Sequence, residues 1–99
     1  MKPLSPLAVP LGKSGLSVSP LAWGMWRFAG DDVKAARALV DAALESGITL
    51  FDTADIYGLG GPAGFGGAEE LLGRVLREAP ELRQRMVLAT KGGIIPGVP

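Results

Sequence analysis

The stretch "SGITLFDTADIYG", Ser46 to Gly58, carries the reading on which the fold turns. Gly47 suits the residue just past a helix end, because glycine enters the left-handed backbone region without steric cost. "ITLF" then forms a short apolar run rich in β-formers, bounded by Gly47 and Asp52. An aspartate at the end of a buried strand is costly unless it is paired or put to use. Tyr57, the only tyrosine in the chain, follows five residues later.

The sequence on either side repeats the same grammar. Upstream, Asp31 is expected as a helix N-cap, with Asp32 in the first turn facing the helix dipole. Val33, Ala36, Leu39, Val40, Ala43 and Leu44 recur at three- and four-residue steps and predict one apolar face. Lys34, Arg37, Asp41 and Glu45 fall largely off it. Downstream, a glycine-rich loop from Tyr57 to Gly67 leads into a second helix, "AEELLGRVLREA". Leu71, Leu72, Val75 and Leu76 make its apolar face, and Pro80 ends it. Glu70, Arg74 and Glu78 stand four apart on the wet side and can pair. "MVLAT" predicts a further strand, between Arg85 and Lys91-Gly92-Gly93. Toward the N-terminus, "PLAWGMW" predicts a short strand ending near Gly24. "VPLGKSGLSVSP" predicts a hairpin turning at Gly12-Lys13-Ser14-Gly15. The order hairpin, β, α, β, α, β implies right-handed crossovers and a parallel sheet. Two helices cover three strands thinly, and "GGIIPGVP" is rich in glycine and proline, so the chain reads as the opening of a larger α/β domain.

Composition narrows the chemistry. At 47% hydrophobic and 20% charged residues, the chain is too apolar for a disordered one, and 99 residues suit one small domain. Ten basic and ten acidic residues cancel, and no basic patch points to nucleic acid or to a membrane surface. The absence of cysteine excludes disulfides and thiolate metal sites. The absence of histidine removes the commonest general acid/base and the commonest metal ligand, so no metal site is expected. Pro3, Pro6 and Pro10 interrupt any apolar segment near the N-terminus. Neither a secretory signal nor a membrane span is expected, and the reading is a cytoplasmic protein.

In parallel α/β folds, sites form at the C-terminal ends of the strands. Asp52 ends one predicted strand and Lys91 the next. On neighbouring strands the two would meet at one rim, and Tyr57 leaves the same rim in its loop. A free tyrosine has a pKa of about 10, and a nearby ammonium favours the phenolate. Tyr57 could then give a proton to a carbonyl oxygen, or take one from an alcohol, with Asp52 holding Lys91 in place. The plain alternative is a structural ion pair beside a packing tyrosine. "GLGGPA", Gly58 to Ala63, formally fits the dinucleotide fingerprint G-x-G-x-x-[GA]. Its context does not fit, because Asp52 to Tyr57 separate it from the strand and Gly64, Gly66 and Gly67 delay the helix. A surface loop is the better reading, and a small Rossmann-like nucleotide binder is the remaining alternative. Trp23 is expected in the core. Trp26, past the strand end, could wall an apolar pocket, and Arg27 beside it could meet an anion or stand exposed.

Taken in order, "LGKSGLSVSPLAWGMWRF", "SGITLFDTADIYG", "AEELLGRVLRE" and "MVLATK" resemble successive blocks of the aldo/keto reductase family, from about Val9 to Lys91. The resemblance implies an eight-stranded (β/α) TIM barrel capped at its N-terminal end by the hairpin. It implies NADP(H)- or NAD(H)-dependent, reversible reduction of a small-molecule aldehyde or ketone. Three members of the family's catalytic tetrad map onto Asp52, Tyr57 and Lys91, with Tyr57 as general acid. Gly24, Met25 and Asp52 would lie near the nicotinamide ribose, and Trp26 and Tyr57 would line the substrate pocket. Threonine is frequent in the family where Met25 stands, and serine where Ala68 stands. The fourth member, a histidine, belongs at the end of a strand beyond Pro99. A whole barrel takes about 250 residues. Residues 1–99 are therefore expected to form a truncated barrel: hairpin 8–18, then the first three strands and two helices. A non-catalytic remnant that completes its barrel with a partner chain is the alternative, since unpaired sheet edges invite self-association.

Overall fold

The computed structural model describes residues 8–59, 61 and 64–95. Pro3, Pro6, the fingerprint positions Gly60, Pro62 and Ala63, and residues 96–99 lie outside the described residues. Strand β1 (Val9–Pro10) pairs antiparallel with β2 (Ser17–Val18), Val9 opposite Val18. The turn between them closes as expected, with Leu11 N–H donating to Leu16 O at 2.9 Å and the Ser14 hydroxyl donating to Leu11 O at 2.7 Å. The hairpin is tied to the main sheet by a reciprocal pair that the sequence did not signal. Ser19 N–H donates to Thr49 Oγ1 at 3.0 Å, and Thr49 N–H donates to Ser19 Oγ at 2.9 Å.

The main sheet runs β3 (Ala22–Gly24), β4 (Leu50–Asp52), β5 (Val87–Ala89) in that spatial order, all parallel. Its register places Trp23, Phe51 and Leu88 in one row and Gly24, Asp52 and Ala89 in the next. Side chains alternate along a strand, so the Phe51 row meets the helices and the Asp52 row faces the other way. Helices α1 (Val33–Glu45) and α2 (Gly67–Glu78) pack on each other over the Phe51 row. Phe51, Met25, Val40 and Val75 are fully buried there, with Leu71, Leu72, Phe28, Leu82 and Met86 around them. Trp23 packs edge-on against Phe28 and Phe51, with ring centroids 5.4 and 5.3 Å apart, as its core reading expected. Among the described residues no helix is long and apolar enough to cross a membrane.

Three local expectations need correction. The N-cap of α1 is Asp32, not Asp31: its backbone is extended and its Oδ1 accepts from Ala35 N–H at 3.0 Å. Asp32 is thus outside the first turn, and it satisfies one of the unpaired donors there directly. Leu39 is 55% exposed rather than on the apolar face. At 3.6 residues per turn it stands about 100° round from Val40, and Val33, Ala36, Val40, Ala43 and Leu44 complete the buried stripe without it. The third parallel strand ends at Ala89, two residues before Lys91. A 3-10 helix, Pro80–Arg85, also follows α2 where the sequence showed only a stop, and Leu82 seats it in the core.

The C-terminal end of α1 matches its reading. Gly47 has φ +88°, its N–H donates to Leu44 O at 3.0 Å, and Ile48 N–H reaches back to Ala43 O at 3.0 Å. This paired closure turns the chain directly into β4. Two measurements of urea unfolding check these ends. Asp32→Ala is expected to cost about 1 kcal/mol through the lost cap. Gly47→Ala is expected to cost about 1–2 kcal/mol, because alanine resists the left-handed region.

Candidate active site

The aligned strand ends bring the polar residues together. Past the sheet, the ladder continues: Met25 N–H donates to Asp52 O at 2.9 Å, Thr53 N–H to Ala89 O at 2.9 Å, and Asp55 N–H to Lys91 O at 3.0 Å. Lys91 thereby stays beside β4 although its strand has ended. Its Nζ donates to Asp52 Oδ1 at 2.9 Å and to Thr53 O at 3.0 Å. The same ammonium lies 4.6 Å from the centroid of the Tyr57 ring. Tyr57 is placed by its backbone, with N–H donating to Ala54 O at 3.2 Å and its carbonyl accepting from Ala68 N–H at 3.0 Å. The structure therefore brings Asp52, Tyr57 and Lys91 to one rim, as the sequence implied.

Lys91 and Asp52 are both roughly half exposed, so the pair adds little to stability and acts chiefly by fixing geometry. Its hydrogen bond to Asp52, and next the Tyr57 hydroxyl, hold Lys91 above the ordinary lysine value of 10.5. Folding thus favours the ammonium form. That contribution is present in full below pH 10.5 and is lost as pH rises through the folded-state value.

The other expected site residues divide. Gly24 stands beside Asp52 on the face away from the helices, and a Cβ there would meet nothing within 4 Å. Met25 is fully buried in the core, so only its backbone reaches the rim. Trp26 is 60% exposed and carries the Arg27 guanidinium 4.7 Å from its ring centroid. Both line a cleft of about 580 Å³ together with Ala29, Ile56, Tyr57 and Leu59. A smaller cleft, about 120 Å³, is also lined by Tyr57, with Lys91 and Gly92. Gly58 has φ +99°, and a Cβ on it would come within 3.0 Å of Ala68 N and 3.1 Å of Gly64 O. The chain's own backbone fills the space that a side chain would need at this glycine. Gly58 and Gly61 therefore serve close packing.

Three contributors escaped the sequence reading. The Thr53 carbonyl holds Lys91, and the Asp55 N–H holds its backbone. These are main-chain groups, and residue identity does not reveal them. Glu69, at the start of α2, accepts from the Thr90 hydroxyl at 2.7 Å and secures the residue before Lys91.

Parallel strands in sequential order, with helices outside and polar residues gathered at the strand ends, define part of a β/α barrel. The model of the aldo/keto reductase family matches residues 20–98, and the chain belongs to that family. It is 60% identical over 99 residues to the 6-dehydroglucose reductase of Novosphingobium aromaticivorans, covering 98% of this chain and 33% of that protein. It is 42% identical over 84 residues to the 6-dehydroglucose reductase of Agrobacterium fabrum, covering 81% of this chain and 26% of that protein. A solved aldo-keto reductase structure from Pseudomonas aeruginosa superposes with a TM-score of 0.75 at 36% identity, covering 98% of this chain and 36% of that one. The chain thus spans about a third or less of the length of the curated relatives it matches, within their N-terminal portion.

The Lys91–Asp52 bond is directly testable. Asp52→Asn removes the carboxylate, and the Lys91 titration, followed by carbon-13 NMR at Cε, is expected to fall toward 10.5. An unchanged titration would show that Asp52 does not control it.

Proposed function

We propose that the protein is an NAD(P)H-dependent reductase of aldehydes or ketones, with Tyr57 as the proton donor. The observation that carries this reading is the gathering of Asp52, Lys91 and Tyr57 at one strand-end rim. When bound, the nicotinamide would supply the hydride. The rim suits it: Gly24 leaves an open surface beside Asp52, and Asp52 Oδ2 has no hydrogen bond among the described residues. Asp52 Oδ2 can accept from a ribose hydroxyl while Oδ1 holds Lys91. Tyr57 donates its hydroxyl proton to the carbonyl oxygen as that oxygen gains charge. The Lys91 ammonium stabilises the phenolate left on Tyr57, and Asp52 and Thr53 keep that ammonium in position.

The relatives' printed names point to a sugar-derived aldehyde as substrate. The cleft beside Tyr57 fits such a molecule. The exposed Trp26 ring offers a flat surface for the C–H face of a sugar, and Arg27 offers donors for its hydroxyls. A chain without cysteine has no need of an oxidising compartment, which agrees with a reductase working in the cytoplasm.

A second reading rests on the sheet edges. Among the described residues, β3 and β5 each have one unpaired edge, and Ile94 and Ile95, which follow β5 in the chain, are 62% and 71% exposed. Such edges pair readily with other strands. Under this reading the 99 residues act by associating with another chain to complete the barrel. Light scattering after gel filtration separates the two, because a monomer that reduces an aldehyde excludes the second.

Tyr57→Phe is expected to lower turnover by about 10²-fold or more while NADPH binding, read by fluorescence, stays near normal. Retained turnover would remove Tyr57 from its role. Trp26→Ala is expected to raise KM for 6-dehydroglucose by about tenfold, with a smaller change in kcat.

A further inference from the structure

Asp55 takes no part in the proton transfer described above, yet it stands where the site's segments cross. Its N–H donates to Lys91 O at 3.0 Å, and its carbonyl accepts from Gly66 N–H at 2.7 Å, just before α2. Two residues later the chain reaches Tyr57. The Asp55 carboxylate lies against Gly92, the residue after Lys91. A Cβ built on Gly92 would stand 2.8 Å from Asp55 Oδ2 and 3.5 Å from its Cγ. Gly92 is not in the left-handed backbone region, so a side chain there would meet only the Asp55 carboxylate, which would have to move aside. Asp55 Oδ1 is buried and has no hydrogen-bond partner among the described residues. No bond of its own thus fixes this end of the carboxylate, and its burial is what limits how far it can move aside.

We infer that Asp55 and Gly92 form a close-packed joint that sets how Lys91 lies against Tyr57, making both of them positioning residues of the reductase site. The inference rests on the proton-transfer reading above for its catalytic consequence, but the joint itself is a matter of packing. A side chain at position 92 would push on the Asp55 carboxylate. The strain would pass to the Asp55–Lys91 backbone bond and then to the Lys91 ammonium, whose bonds to Asp52 and Thr53 depend on that placement. Small displacements of an oriented catalytic group carry large rate costs.

The test is a cycle of variants with two readouts, kcat and the Lys91 titration by carbon-13 NMR. Gly92→Ala is expected to lower kcat by about tenfold, with KM for NADPH little changed, and to lower the Lys91 titration. Asp55→Ala alone is expected to cost less, about threefold. Combining Asp55→Ala with Gly92→Ala removes the obstructing carboxylate and is expected to restore both readouts to the level of Asp55→Ala. Combining Asp55→Asn with Gly92→Ala keeps the obstruction without the charge and is expected to remain impaired. The inference is overturned if Gly92→Ala leaves both readouts intact, or if Asp55→Ala fails to rescue it. Rescue by Asp55→Asn would overturn it too, because charge and not size would then be at issue. A fall in kcat with an unmoved Lys91 titration would also sink it. The titration needs no turnover, so failure of the joint is distinguishable from failure of Tyr57→Phe to abolish activity.

Discussion

Parallel pairing in register is the constraint from which the rest of the structure follows. Gly24, Asp52 and Ala89 sit side by side, so three strands release their chains at one level and on one edge. A site assembled there needs no long-range search by its loops. Each candidate group has only to lie within a few residues of a strand end, as Trp26, Tyr57 and Lys91 do. The ladder bonds beyond the strands, from Thr53 to Ala89 and from Asp55 to Lys91, carry the order of the sheet out into the rim. Lys91, past the end of its strand, is still tied to this extension through its carbonyl. Its side chain then folds back to Asp52 and Thr53, which converts backbone regularity into side-chain placement.

The two faces of the sheet divide the work. The Phe51 row, with Met25 and the buried faces of α1 and α2, supplies the packing that fixes the strands. The Asp52 row carries the polar groups of the candidate site and stays half open. This separation explains why Met25 and Trp26, adjacent in sequence, have opposite fates: one is fully buried and the other is 60% exposed. It also explains why a half-exposed ion pair of small energetic weight can matter, since its partners are placed by a core that it does not help to hold.

Much of this was legible in the residues. Apolar periodicity placed both helices, and Gly47 and Pro80 marked their ends, because these signals depend on local backbone chemistry. The convergence of Asp52, Tyr57 and Lys91 was readable because parallel topology turns positions at strand ends into neighbours in space. What escaped was carried by atoms that sequence does not distinguish. The Thr53 carbonyl and the Asp55 N–H are present in any residue, and only the fold directs them at Lys91. The Ser19–Thr49 pair joins residues 30 apart in sequence, beyond the reach of a local pattern. The shift of the α1 cap from Asp31 to Asp32 shows a finer limit. Two adjacent aspartates are equally good caps by type, and only the phase of the buried stripe selects between them.

The alternation of Phe51 and Asp52 has a consequence for how faithfully the protein folds. Slipping β4 by one residue would exchange the faces of every side chain on it. Phe51 would lose the pocket formed by the two helices, and the Asp52 carboxylate would enter that pocket in its place. A misaligned sheet is therefore penalised twice, by an exposed aromatic ring and by a charge stranded in an apolar layer. The residue that anchors Lys91 thus also proofreads the pairing of the strand that carries it.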